Sequence, residues 1–252
     1  MPQSEILKKI IQNMESVIVG KRRAIELALI TLLSDGHLLL EDVPGVGKTT
    51  LGKALAQSVQ CSFARIQFTP DTLPGDVIGM SMYQMQTGKF SYVPGAVMND
   101  ILLADEINRT SPKTQASLLE AMEEQQVTVD GITYALPELF MVIATQNPVE
   151  QLGTYRLPEA QLDRFMMKIS MGYPETPADE ADIVRRMVDG EPLKKLSPVT
   201  TRDELMQIKD EVKAVAVHQD VMAYAVEITR NTRKSRYLSL GASPRAAIAL
   251  VR

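Results

Sequence analysis

Seven consecutive residues concentrate the chemistry of this sequence: Pro44-Gly45-Val46-Gly47-Lys48-Thr49-Thr50. Glycines at Gly45 and Gly47 let backbone N–H groups converge on one point, as phosphate oxygens require. An amphipathic helical pattern starts at Lys48, so the partial positive charge of a helix N-terminus falls at the same place. The Lys48 ammonium is then expected to reach the β- and γ-phosphates of a nucleotide, and the Thr49 hydroxyl to ligand magnesium. Pro44, Gly45, Val46, Gly47, Lys48, Thr49 and Thr50 are the expected ATP-binding loop. The full pattern asks for glycine at the position of Asp42. Aspartate tolerates a left-handed backbone better than most residues, so the same turn is expected there.

Ile101-Leu102-Leu103-Ala104-Asp105-Glu106 supplies the second half of that chemistry. Four apolar residues form a buried strand and leave two carboxylates at its carboxyl end, where α/β folds hold their ligands. Asp105 is the expected second magnesium ligand beside Thr49, directly or through water. Glu106 is the expected general base for an attacking water.

Strands and helices must position these groups. Compact apolar runs at 38–40, 63–68, 101–104, 140–144 and 165–169 read as strands. Helical spacing runs over 6–17, 21–33 and 48–58. Such alternation predicts an α/β parallel sheet with helices on both faces. Two hairpins interrupt it. One pairs 82–86 with 89–93 across Thr87-Gly88, and the other pairs 126–129 with 132–134 across Asp130-Gly131, the stronger turn signal. After Gly172-Tyr173-Pro174 only helical patterns remain, at 177–187, 201–212, 219–229 and from Pro244 onward. The expected division is an α/β nucleotide-binding domain over 1–172 and a small helical domain over 173–252. The last pattern reaches Arg252 without a stop signal, so this second domain is expected to be incomplete at its C-terminus.

The loop at 44–50, Asp105-Glu106-Ile107-Asn108-Arg109, Ala144-Thr145-Gln146-Asn147-Pro148 and Leu157-Pro158-Glu159-Ala160-Gln161-Leu162-Asp163-Arg164-Phe165 together resemble the MoxR family of AAA+ ATPases, over residues 17 to 250. The resemblance implies a P-loop AAA+ wound sheet with a helix-two insert, a pre-sensor hairpin and a helical lid. The two hairpins fit the first pair. It implies that Lys48, Glu106, Asn147 and Arg164 are catalytic, with Asn147 orienting the lytic water as sensor one. Arg164 matches an arginine finger offered to a neighbouring subunit, and Arg245, in Ser243-Pro244-Arg245, the sensor-two arginine at ATP. Ile18, Val19 and Gly20 match the stretch that contacts adenine, though core packing explains them equally. Arg109 matches a subunit-interface position. Arg156 stands where many relatives have proline, which leaves two arginines as candidates for the trans-acting finger.

Composition bounds the partners. The chain has 252 residues, 45% of them hydrophobic and 23% charged, with a net charge of −4. That acidity, and hairpin tips that carry Lys89 alone and Asp130, speak against nucleic acid as a partner. The single cysteine, Cys61, excludes an internal disulfide and reads as a small buried residue. His37 and His218 have no metal-ligand company and read as structural or solvated. No signal peptide or membrane-spanning run is visible, so a cytoplasmic protein is expected. The resemblance implies a hexameric homo-oligomer with Mg2+ and ATP, remodelling a client protein, in some members with a von Willebrand type A domain partner. A nucleic-acid motor or chelatase-type ATPase subunit, and a nucleotide switch that does not hydrolyse, are the alternatives; intact Glu106 and Arg164 weigh against the last.

Overall fold

The computed structural model describes residues 3–148 and 154–252. Two helices open the chain, α1 (Gln3–Glu15) and α2 (Arg22–Leu33). The nucleotide-loop unit follows: β1 (Leu38–Glu41), α3 (Lys48–Ser58) and β2 (Phe63–Gln67). Next come α4 (Pro74–Ile78) and the first hairpin, β3 (Gly79–Gln84) and β4 (Lys89–Pro94). Then β5 (Ile101–Asp105) and α5 (Pro112–Glu124) lead to the second hairpin, β6 (Gln126–Val129) and β7 (Ile132–Ala135). The sheet is completed by β8 (Met141–Gln146), α6 (Glu159–Leu162) and β9 (Met167–Ile169). Four helices end the chain: α7 (Pro177–Val188), α8 (Arg202–Lys213), α9 (Gln219–Thr232) and α10 (Pro244–Val251).

The central sheet has the order β2-β5-β8-β1-β9, and all its pairings are parallel. Side chains alternate across a strand. Leu38, Leu40, Ile101, Leu103, Met141 and Ile143 therefore enter one core, with α1, α2 and α3. Leu39, Leu102, Ala104, Val142 and Ala144 enter the other, with α5. Burial on both faces is why these strands read as unbroken apolar runs. The expected strands stand, with β9 starting at Met167 rather than Phe165.

α5 is a long helix absent from the elements expected above. Ser111 caps it, accepting from the Thr114 N–H at 3.3 Å, and Pro112 occupies its first turn. Leu118, Leu119 and Met122 are its buried stripe. Both hairpins form, and they meet: the Tyr92 and Tyr134 rings stack with centroids 4.0 Å apart. Gly95, at the foot of the first, is a close approach that only glycine permits, since a Cβ there would fall 2.2 Å from the Gly79 nitrogen.

Element type changes after residue 172, and α8 packs onto the core of the sheet. Leu205 and Ile208 of α8 are buried in the same cluster as Ile10, Met14 and Leu55. Asn13 donates to Ser58 Oγ and to the Ser197 carbonyl, each at 2.9 Å. Lys209, 1% exposed, is ion-paired to Asp35. Among the described residues, the helices after 173 show no core cluster separate from the sheet's two. Nor is any described helix long and apolar enough to cross a membrane.

His37 proves structural. Its Nδ1 accepts from the Val142 N–H at 3.0 Å, and its Nε2 lies 3.2 Å from the Met122 carbonyl, which requires the proton on Nε2. The ring thus joins β8 to the last turn of α5. Burial pushes its pKa down to about 4, and the Met122 carbonyl offsets only part of this. The group is neutral in both states above pH 6.5, where its contribution is complete. As pH falls from 6.5 toward 4 the unfolded chain takes up a proton that the folded chain refuses, so stability is lost in that window and no further below it. Urea unfolding should show wild type losing about 3 kcal/mol through this group between pH 7 and pH 4. His37→Asn should lack that share of the slope; an unchanged slope would contradict a neutral buried imidazole.

Candidate nucleotide site

The loop between β1 and α3 has the geometry its sequence requires. Gly45 and Gly47 take positive φ, 87° and 91°, and Gly47 caps α3 in the left-handed region. Pro44 and Gly45 are exposed, and Val46, Thr49 and Thr50 are half-buried. Lys48 is 9% exposed, and its Nζ donates to the Asp42 carbonyl at 2.7 Å. Burial lowers the Lys48 pKa, against the pull of Asp105, Asp42 and Glu106, which favour the charged form. These three acidic groups offset part of the cost of burying the ammonium.

Asp42 does not adopt the left-handed turn expected of it. Its φ is not positive. Instead its Oδ2 accepts from Ser170 Oγ at 3.0 Å, Met171 N–H at 2.5 Å and Gly172 N–H at 2.9 Å. A glycine could not make these bonds. The carboxylate ties the nucleotide loop to the chain leaving β9.

Asp105 is 8% exposed at the carboxyl end of β5. Its Oδ1 accepts from Thr145 Oγ1 at 2.7 Å, and its Oδ2 pairs with Arg65 Nη2 at 2.7 Å. Glu106 follows in a left-handed conformation, φ 57°, a strain of about 1–3 kcal/mol for a residue with a Cβ. Its N–H donates to the same Thr145 Oγ1 at 2.9 Å. Thr145 therefore orients both acidic residues. The Glu106 carboxylate accepts from Gln67 Nε2 at 2.7 Å and Arg109 Nη1 at 3.0 Å. Asn147, 6% exposed, directly follows β8, the strand next to β5. Thr145, Gln67 and Arg65 escape a sequence reading, because their partners lie about forty residues away.

The donor set fits magnesium. Magnesium takes one or two carboxylates and completes its shell with phosphate and water. The Arg65 guanidinium already places a cation against Asp105, which marks where positive charge is accepted. Thr49 and Asp105 would hold the ion, and it would neutralise charge on the phosphates.

Arg164 and Arg245 come together, but elsewhere. Both pair with Glu123, at the end of α5: Arg164 Nη2 at 2.7 Å from Oε2, Arg245 Nη2 against Oε1. Ser243 caps α10, which puts Arg245 in its first turn, and Ser243 Oγ donates to Asp163 at 2.6 Å. Glu123 follows Met122, which contacts His37 just before β1. The pair thus lies at the amino ends of the strands, a strand length of roughly 13 Å from the loop at the carboxyl ends. Arg245 keeps company with Arg164 and not with Lys48. Arg156 is separate and exposed: Tyr155 before it donates its N–H to the Asn108 carbonyl at 2.6 Å. Ile18 is 6% exposed within the core, Val19 half-buried and Gly20 exposed.

The sequence pattern of the ATPase family associated with various cellular activities (AAA) matches residues 37–167. The chain is 51% identical to YeaC, an uncharacterised protein of Bacillus subtilis (strain 168), over 98% of this chain and 77% of that protein. It is 41% identical to chaperone MoxR1 of Mycobacterium tuberculosis, over 97% of this chain and 67% of the relative. The chain belongs to the MoxR family of AAA+ ATPases. Its fold agrees: a crystal structure from Cytophaga hutchinsonii, assigned as an ATPase, superposes with a TM-score of 0.88 at 39% identity, covering 97% of this chain and 77% of that one.

Within this MoxR-family chain, Lys48 is the one loop residue that can bring a mobile positive charge to the phosphates. Lys48→Ala should weaken ATP binding about ten- to hundredfold, the range of a lost charge-assisted hydrogen bond. A fluorescent-ATP titration measures this. Unchanged affinity would remove Lys48 from the site.

Proposed function

We propose that the chain hydrolyses ATP in assemblies of several copies and couples turnover to remodelling of protein complexes. The observation carrying this reading is the separation of two charged groups within one chain. Lys48, Asp105, Glu106 and Asn147 sit at the carboxyl ends of the strands, and Arg164 with Arg245 at the amino ends. In this fold the second group lies a strand length, roughly 13 Å, from the nucleotide loop of its own chain. A second copy can supply it, and closed rings built from head-to-tail contacts satisfy every site at once.

In the proposed reaction, backbone N–H groups at Gly45 to Lys48 and the Lys48 ammonium hold the phosphates. Bound magnesium would offset their charge. Glu106 accepts the proton of a water positioned by Asn147. The water oxygen bonds to the γ-phosphorus, the bond to the β–γ bridging oxygen breaks, and ADP leaves with that electron pair. Before this, Glu106 must leave Gln67 and Arg109. The Arg164 guanidinium of the next copy stabilises charge on the transferring group.

MoxR1 is named a chaperone, and this supports protein clients. So does a net charge of −4, which disfavours a phosphate backbone as the track. A hexamer, a von Willebrand type A domain partner and a cytoplasmic site of action belong to the same proposal.

Two inactive variants test the division of the site. Arg164→Ala should bind ATP near-normally and lose about 10³-fold or more in turnover. Glu106→Gln should also bind and fail to hydrolyse. Mixing them should restore part of the activity, at interfaces where an intact Glu106 meets an intact Arg164. No rescue in oligomers shown to be mixed would contradict a site shared between copies. Arg156→Ala, run alongside, should be near wild type.

A further inference from the structure

Glu123 has no place in the chemistry above, yet it makes the bonds that bring two distant arginines together. Arg164 precedes β9, and Arg245 opens α10, some eighty residues later. Both carry permanent positive charge, since guanidinium does not lose its proton in proteins. Two such groups repel unless an anion stands between them. Glu123 supplies it, one carboxylate oxygen to each guanidinium.

The backbone that carries this carboxylate is firmly placed. It lies in the last turn of α5, next to Met122, whose carbonyl receives His37 Nε2–H. His37 is in turn fixed on Val142 of β8. On the other side, Asp163 accepts from the Ser243 hydroxyl, joining the neighbours of both arginines. The group faces a cavity of about 630 Å³ that Asp35, Met166, Lys213 and Arg252 also line. Glu123 is one-third exposed, so this is an accessible charged cluster and not a buried core pair.

We propose that Glu123 is a positioning residue that assembles Arg164 and Arg245 into one fork-like unit, presented to the phosphates bound by the adjoining copy. This rests on the reading that Arg164 acts on a neighbouring site. Glu123 touches neither substrate nor reacting atoms in that arrangement. It holds two cations at fixed spacing, and both keep other N–H groups for an incoming anion. A small misplacement of such groups costs up to about a hundredfold in rate.

The test uses the full chain with Glu123→Ala, Glu123→Gln, Arg164→Ala, Arg245→Ala and the double variant Glu123→Ala/Arg164→Ala. Steady-state ATP hydrolysis is measured with fluorescent-ATP binding and oligomer mass. Glu123→Ala should lower kcat about ten- to hundredfold with KM and ATP affinity within twofold of wild type. A damaged fold would move binding and mass as well. Glu123→Gln, which keeps shape and one acceptor, should fall between. On an Arg164→Ala background the Glu123 substitution should cost less than it does in wild type, and no more than Arg245→Ala costs there, because it then acts through Arg245 alone. Wild-type kcat in Glu123→Ala, or a full multiplicative loss in the double variant, would overturn the proposal. If Arg164→Ala itself turns over normally, the shared-site reading fails first. If Arg164→Ala is inactive while Glu123→Ala is normal, only the role of Glu123 falls.

Discussion

All five strands of the central sheet run in one direction, and the three inner ones, β5, β8 and β1, are buried on both faces. A layer so covered offers polar chemistry only at its two ends. At the carboxyl ends the chain turns from strand to loop, and backbone N–H groups, Lys48, Asp105 and Glu106 converge. At the amino ends, helices and loops deliver Arg164 and Arg245. The length of the strands holds these groups apart. On the proposed reading, in which Arg164 serves a neighbouring copy, this separation makes completion of the site a question of assembly.

Electrostatics at the two ends are handled alike: each charge is held by a polar or oppositely charged partner. Lys48 rests on a backbone carbonyl, Asp105 on Arg65, Glu106 on Gln67 and Arg109, and the two arginines on Glu123. None of these holds a bare charge in a dry interior, which would cost several kcal/mol. Asp42 spends its charge otherwise, on two N–H groups and a hydroxyl after β9, which links the phosphate loop to the start of the helices beyond 173.

Much of this was legible in residue order. Continuous apolar runs of three to five residues marked the inner strands, because burial on both faces removes the polar alternation. Asp130-Gly131 marked its hairpin through the positive φ both residues adopt, 50° and 79°. The phosphate loop and the Asp105-Glu106 pair were legible because each depends on neighbours in sequence. What depends on distant neighbours was not. The partners of Glu106 come from β2 and a turn after β5, and Glu123 joins segments forty and more than a hundred residues away. The helical pattern at 201–212 marked α8 but not its packing, in which Leu205 and Ile208 share a core with Ile10, Met14 and Leu55. Asp42 misled for a related reason. Its backbone was judged by the pattern it departs from, whereas its side chain does the work.

The central claim is that one active site needs two copies of the chain. The direct measurement is ATP turnover per chain across a dilution series, with the mass distribution recorded at each concentration. Turnover that rises with the oligomer fraction and vanishes with it, while monomers still bind ATP, is the expected result. Full turnover by a population shown to be monomeric would contradict the account.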